Sequence, residues 1–187
     1  LPMKPTEELI HEHEVILHVL RSASDEAIKM SNTSVIRPEL VEMMLDFFRN
    51  FADKCHHAKE EAHLFTMLEN RGMPKDSGPI AVMLREHTEG RRRLSNIAGL
   101  LPAARLRDED AIRAISENLV AYVSLLENHI AKENGVLFPM ADRILSEKDQ
   151  EDLEKSFIKV EKEETGEGVH ERYHALAHSI SDYGKPA

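Results

Sequence analysis

The chain has 187 residues, with Lys and Arg at 24 against Asp and Glu at 34, a net charge of -10 with the histidines neutral. That length suits one domain with a buried core, and the acidic excess argues against phosphate backbones and anionic lipid, so no nucleic acid and no membrane partner are expected. No apolar run approaches the roughly 18 residues of a spanning helix and no signal pattern opens the sequence, while the single cysteine, Cys55, excludes an intramolecular disulfide and fits a reducing compartment, so a cytoplasmic location is expected.

Few aromatics, no Trp, and scarce Gly and Pro favour helices, and eleven histidines are the anomaly. A first helix is expected from Thr6, a capping residue followed by Glu7 and Glu8, to about Met30, before the polar loop Ser31 to Ser34. Leu9, His13, Ile16, Leu17 and Leu20 share its inner face. A second helix opens at Pro38 and stops before Arg71, Gly72, Met73 and Pro74, with Met44, Phe48, Ala52, His56, Glu60, Leu64 and Leu68 as its inner stripe. A third follows Gly78 and Pro79 and ends near Leu101 before Pro102, with Ile80, Met83, Leu84, His87, Leu94 and Ala98 inward. Asp108 or Asp110 opens the fourth, which carries Ile115, Leu119, Tyr122, Leu126, His129, Glu133 and Leu137 on one face as far as Pro139, where a kink or break is expected.

Strand-like alternation is almost absent, so the chain reads as all-α. Four long helices with modest connections predict an up-down-up-down four-helix bundle over residues 1–145. Residues 146–187 are expected to form a C-terminal helical extension packed on the bundle. It begins with an acidic helix capped by Ser146, running to about Glu164, with Leu153, Phe157 and Val160 as its contact stripe. Gly166 and Gly168 then hinge into a last helix, Val169 to about Tyr183, carrying His170, Tyr173, His174, Leu176 and His178.

Residues four apart share a helix face, so His56 with Glu60 and His129 with Glu133 are two ready-made ligand pairs. Both pairs continue apolar stripes, as do the single His13 and His87, which puts four imidazoles and two carboxylates inside the core. A carboxylate buried without a partner costs several kcal/mol, and no inward Lys or Arg is expected at that level. A metal removes the conflict. Imidazole and carboxylate without thiolate suit iron, manganese or zinc, and one acid per pair on opposed helices can bridge two ions, so a dinuclear centre is predicted.

His57 and Glu61 repeat the spacing, but stepping back by fours from His57 meets Asp53 and Arg49, a solvent face, so His57 is expected outside with His11 and His18. The echo between HHAKEEAHLF at 56–65 and HIAKENGVLF at 129–138 aligns Glu60 with Glu133 and supports that choice. His63, one heptad after His56, is expected inward, a layer from the metal. Tyr122, two turns before His129, and Tyr173 or His174 on the last helix are candidates for an outer hydrogen bond or an extra ligand, His174 foremost. Cys55 reads as packing, and Arg91, Arg92 and Arg93 as a solvated face.

A single His, a His-x-x-x-Glu, a single His and a second His-x-x-x-Glu on successive helices resemble the hemerythrin-like, or HHE cation-binding, domain. The resemblance spans roughly residues 6 to 142 and includes Glu12-His13, HHAKEE before Leu64-Phe65, Arg85-Glu86-His87, and HIAKEN before Leu137-Phe138-Pro139. It implies a non-haem di-iron centre, two iron ions joined by an oxo or hydroxo bridge, with His13, His56, His87 and His129 as terminal ligands and Glu60 and Glu133 bridging. It also implies chemistry with oxygen, hydrogen peroxide or nitric oxide, or iron handling.

Two departures from the oxygen-carrying hemerythrins point away from simple reversible carriage. The third helix of those proteins offers two His four apart, whereas here Met83 stands four before His87 and Arg91 four after, and the last ligand is Glu133, where they have a more widely spaced Asp. Four imidazoles and two bridging carboxylates leave each six-coordinate iron with about two open positions, which favours reactivity. The expected function is a di-iron protein that binds or reacts with a small oxidant, an oxidoreductase if it turns over. An oxygen- or iron-sensing module without turnover is the alternative. The expected partner is a diatomic or peroxide ligand, and the sequence names no protein partner.

Overall fold

The computed structural model describes residues 3–186, and among these the regular structure is entirely helical. Six helices follow in order: α1 Pro5–Thr33, α2 residues 38–70, α3 Gly78–Arg105, α4 residues 109–144, α5 residues 147–165 and α6 Val169–Ser181. Side-chain pairs give the direction of each neighbour. Thr6 meets Asp142, His13 meets Asn134, and Ser116 meets Ala27, so α1 and α4 run antiparallel. Glu26 with Arg37 and Glu8 with Lys59 do the same for α1 and α2. Glu61 with His87 and Glu42 with Arg105 join α2 to α3, and Glu86 with His129 and Arg93 with Asn118 join α3 to α4. The result is an up-down-up-down bundle.

Helix ends refine the expected bounds. Pro5 occupies the first turn of α1 and the Glu7 carboxylate accepts the Lys4 amide at 2.8 Å. Thr6 is therefore not the cap, and its hydroxyl donates to Asp142 at 2.7 Å instead. Ser34, in the left-handed region at φ 53, closes α1 by donating its amide to Met30. α3 runs three residues past Pro102, to Arg105, because a proline there forfeits one helical hydrogen bond while Leu101 and Ala104 still bury. Asp108 caps α4 by accepting the Ala111 amide at 3.0 Å, and Ser146 with Asp149 forms a reciprocal cap on α5.

A strict four-residue stripe poses a geometric problem, since each step over-rotates a regular α-helix by about 40°. Seven stripe members from Met44 to Leu68 would wind off the core, yet all are buried. The backbone supplies the correction: Phe47–His57 and Glu60–Leu64 form π-helical turns, whose i→i+5 bonds widen the turn and unwind the drift. The internal echo recurs at this level, because Glu133–Leu137 of α4 is also a π turn. It lies just ahead of Pro139, so the disturbance expected at that proline takes the form of a π turn and the helix continues to Ile144.

The apolar core has two blocks. One runs from Ile16 and Phe48 to Leu94, Ile115 and Leu126, and the other gathers Leu9, Leu64, Phe65, Met83, Leu137 and Phe138. The His and Glu positions of the four stripes lie between them. α5 joins the second block through Leu153 and Phe157, and Arg71 grips Asp149 at 2.7 and 2.9 Å. α6, entered through Gly166 and Gly168 at φ 102 and 78, joins the first through Tyr173, Ala177 and Ile180. Both lie against α1 and α2. No helix among the described residues is long and apolar enough to cross a membrane.

Candidate metal centre

Six side chains predicted to meet do so. His13, His56, Glu60, His87, His129 and Glu133 are each no more than 1% exposed. The imidazoles converge in two pairs through Nε2, His13 with His56 at 2.9 Å and His87 with His129 at 3.0 Å. Each carboxylate reaches across both pairs. Glu60 lies 3.1 Å from His56 Nε2 and 3.2 Å from His87 Nε2, and Glu133 lies 3.1 Å from both His129 Nε2 and His13 Nε2. All four carboxylate oxygens are buried without a hydrogen-bond partner. Two carboxylates and four converging nitrogens in a dry interior are a donor set without an acceptor, and cations complete it.

The outward nitrogens explain why Nε2 faces in. His13 Nδ1 donates to Asn134 at 2.6 Å, His56 Nδ1 to Glu12 at 3.2 Å, His87 Nδ1 to Glu61 at 2.7 Å, and His129 Nδ1 to Glu86 at 2.9 Å. With Nδ1 committed as a donor, Nε2 is left to take a metal or a proton. The four supports form a closed ring, in which α1 orients an imidazole of α2, α2 one of α3, α3 one of α4, and α4 one of α1. Each supporting residue is the chain neighbour of a cluster residue: Glu12 of His13, Glu61 of Glu60, Glu86 of His87, and Asn134 of Glu133.

Protons supply the positive charge when no cation does. Burial opposes charge on His56, but Glu60 and Glu12 outweigh it and raise the imidazole from 6.5 to about 10. His129 rises to about 9 in the same way, through Glu133 and Glu86. Burial and Glu133 both disfavour the charge of Glu60, yet His56 and His87 hold it at about 2. Since both histidines are raised, their stabilising effect on the metal-free protein is complete below the unfolded value of about 6.5 and disappears as pH climbs through 9 to 10. The metal-free thermal midpoint is therefore expected to fall across that window, while loaded protein, whose cations replace those protons, keeps its midpoint; thermal unfolding with and without chelator checks this. Equal slopes in both samples would contradict it.

His57 corrects an expectation. It is buried at 5% exposed and lies nearly parallel to His87, ring centroids 3.8 Å apart at 20°. The widened turn of Phe47–His57 brings two consecutive histidines inside, which a 3.6-residue wheel does not show. One His57 ring nitrogen lies within 4.8 Å of ligand atoms of Glu60, His87 and His129, so it stands close enough to join that half of the centre, although its stacking on His87 keeps it out of the plane in which His87 would bind an ion. Asp53 accepts its Nδ1 at 3.1 Å, and burial, then the charge of His87, keeps it neutral.

Lys59 is a second correction, because its ammonium is wholly buried. It serves Glu8, Glu12 and Glu161, and leaves Glu60 and Glu133 unpartnered. His63 is half-buried and outside both imidazole pairs. His174 is also half-buried, against Phe51 and His170, and joins neither pair; His170 is the residue of that stripe that approaches Glu12, at 3.6 Å. Tyr173 donates to Asp46 at 2.7 Å, and Tyr122 is buried with its ring on Phe48. Cys55 is buried, which pushes its thiol up to about 12 and leaves it a packing residue.

Residues 4–141 match the hemerythrin HHE cation binding domain. The chain is also similar to uncharacterized proteins of Mycobacterium bovis and of two strains of Mycobacterium tuberculosis, at 24% identity over 167 residues, which is 89% of this chain and 65% of theirs. It thus spans less than two thirds of the length of these relatives. No solved structure matches it.

Proposed function

We propose, from the premise that the chain belongs to the hemerythrin HHE cation-binding family, that its buried cluster holds two iron ions and reacts with a small oxidant: hydrogen peroxide, oxygen or nitric oxide. His13 and His56 serve one ion, His87 and His129 the other, and Glu60 and Glu133 bridge them. The observation that supports this is the pattern of contacts, in which each carboxylate touches one imidazole from each pair and has no other partner. A single ion would leave half of that set unused.

When bound, a di-iron centre exchanges electrons with a small ligand at positions the protein leaves open. The chain's own residues do the rest. The Nδ1 ring locks four imidazole planes, so little reorganisation accompanies binding. Phe138 stacks on His13 at 5.5 Å and Phe65 on His87 at 6.1 Å, walling the site with apolar surface that excludes bulky substrates.

Metal content and spectra of protein from iron-supplied cells test this reading. About two irons per chain are expected, with a near-ultraviolet charge-transfer band that bleaches on reduction and responds to hydrogen peroxide. Folded protein without stoichiometric metal would overturn it, and a band that responds without turnover would favour the sensing module.

A further inference from the structure

The two sides of the centre are not equally covered. On the α1–α2 side, α5 and α6 lie across the bundle, Phe138 stacks on His13, and Lys59 ties Glu8 and Glu12 of α1 to Glu161 of α5. On the α2–α3–α4 side a small cleft, with room for about one water-sized molecule, lies among Asp53, His57, His87, Gly90, Tyr122 and Leu126. His87 belongs both to this cleft and to the imidazole pair behind it.

Two residues control its size and its mouth. Gly90 sits inside a long helix, where Gly is less favourable than Ala. A Cβ there would stand 3.4 Å from the Tyr122 ring, an ordinary contact that the helix tolerates but that fills the gap between α3 and Tyr122. Arg91, at the rim, donates Nε to Asp53 at 2.9 and 3.0 Å and Nη2 to Glu61 at 2.8 Å. Those carboxylates orient His57 and His87, so the guanidinium spans the mouth on the groups that hold the cleft's imidazole walls.

We infer that this cleft is the entry and docking pocket for the small ligand, on the His87 and His129 side of the centre, limited to a diatomic or peroxide-sized molecule by Gly90 and Tyr122 and gated by Arg91. The inference rests on the di-iron reading, and its test separates the two. Nitric oxide association with the reduced, iron-loaded protein is followed by stopped flow, and iron per chain is counted for wild type, Gly90→Ala and Arg91→Ala. Gly90→Ala is expected to associate about tenfold more slowly, since one methyl group is felt in a close-packed interior, with iron unchanged. Arg91→Ala is expected to associate severalfold faster; as a surface change it keeps the test independent of packing at Gly90. Full iron with wild-type rates in both variants overturns the pocket alone. A wild type that holds no iron overturns the di-iron reading, and the pocket with it.

Discussion

Glu60→Gln combined with Glu133→Gln is expected to yield folded protein that carries no stoichiometric iron. The substitutions keep the shape of both side chains and remove the two charges that no hydrogen bond satisfies. Neutral amides cannot span two cations, so iron is expected to fall from about two per chain to near zero in the double variant. The fold is expected to persist, because the imidazoles whose positive charge these carboxylates sustain discharge when the carboxylates go. Glu86→Ala offers the contrast. It takes the acceptor from His129 Nδ1 and leaves all six inward groups in place, so about two irons are still taken up, with affinity lowered about 10- to 100-fold. Iron counts, circular dichroism and competition with a chelator separate these outcomes. A double variant that retains full iron would exclude bridging by Glu60 and Glu133.

The contrast also marks what the sequence makes legible. His56 with Glu60 and His129 with Glu133 stand out because spacing of four is a local property, and the echo between the two segments singles out Glu60 over Glu61. Their supports act between helices, so spacing along one helix carries no trace of them. Glu12, Glu61, Glu86 and Asn134 look like solvent-face residues on a wheel, and their one signal is that each adjoins a cluster residue. The bundle is legible from apolar periodicity and from Pro and Gly punctuation. His57 is not, since a wheel of constant pitch cannot represent the π turns of α2. Lys59 is hidden for a related reason: its partners come from α1 and α5, and only their docking makes a buried ammonium tolerable.

Lys59→Met is expected to destabilise the fold strongly without touching the six inward His and Glu side chains. The ammonium is fully buried and sits 2.6 Å from Glu8, 3.1 Å from Glu12 and 2.7 Å from Glu161, with the Phe157 ring 5.5 Å away. Burial alone would discharge a lysine, but three carboxylates outweigh it and hold the proton more tightly than in water. Met fills similar space without charge and leaves Glu12, which is 2% exposed, with only His56 Nδ1 at 3.2 Å and His170 at 3.6 Å to offset its charge. Removing one partner of a buried ion pair costs about 3–5 kcal/mol, chiefly through the charge left behind. Glu8 and Glu161 keep some contact with water, so the loss falls mainly on Glu12. Adding Glu12→Gln should then recover part of the stability, because the stranded charge goes with it. Urea denaturation of wild type, the single variant and the double variant measures both steps. A single variant with a wild-type midpoint would mean that Lys59 does not neutralise this cluster. Hydrogen exchange adds the location: α5 reaches Lys59 through Glu161, so its amides are expected to lose protection before those of α3 and α4, which do not touch the network.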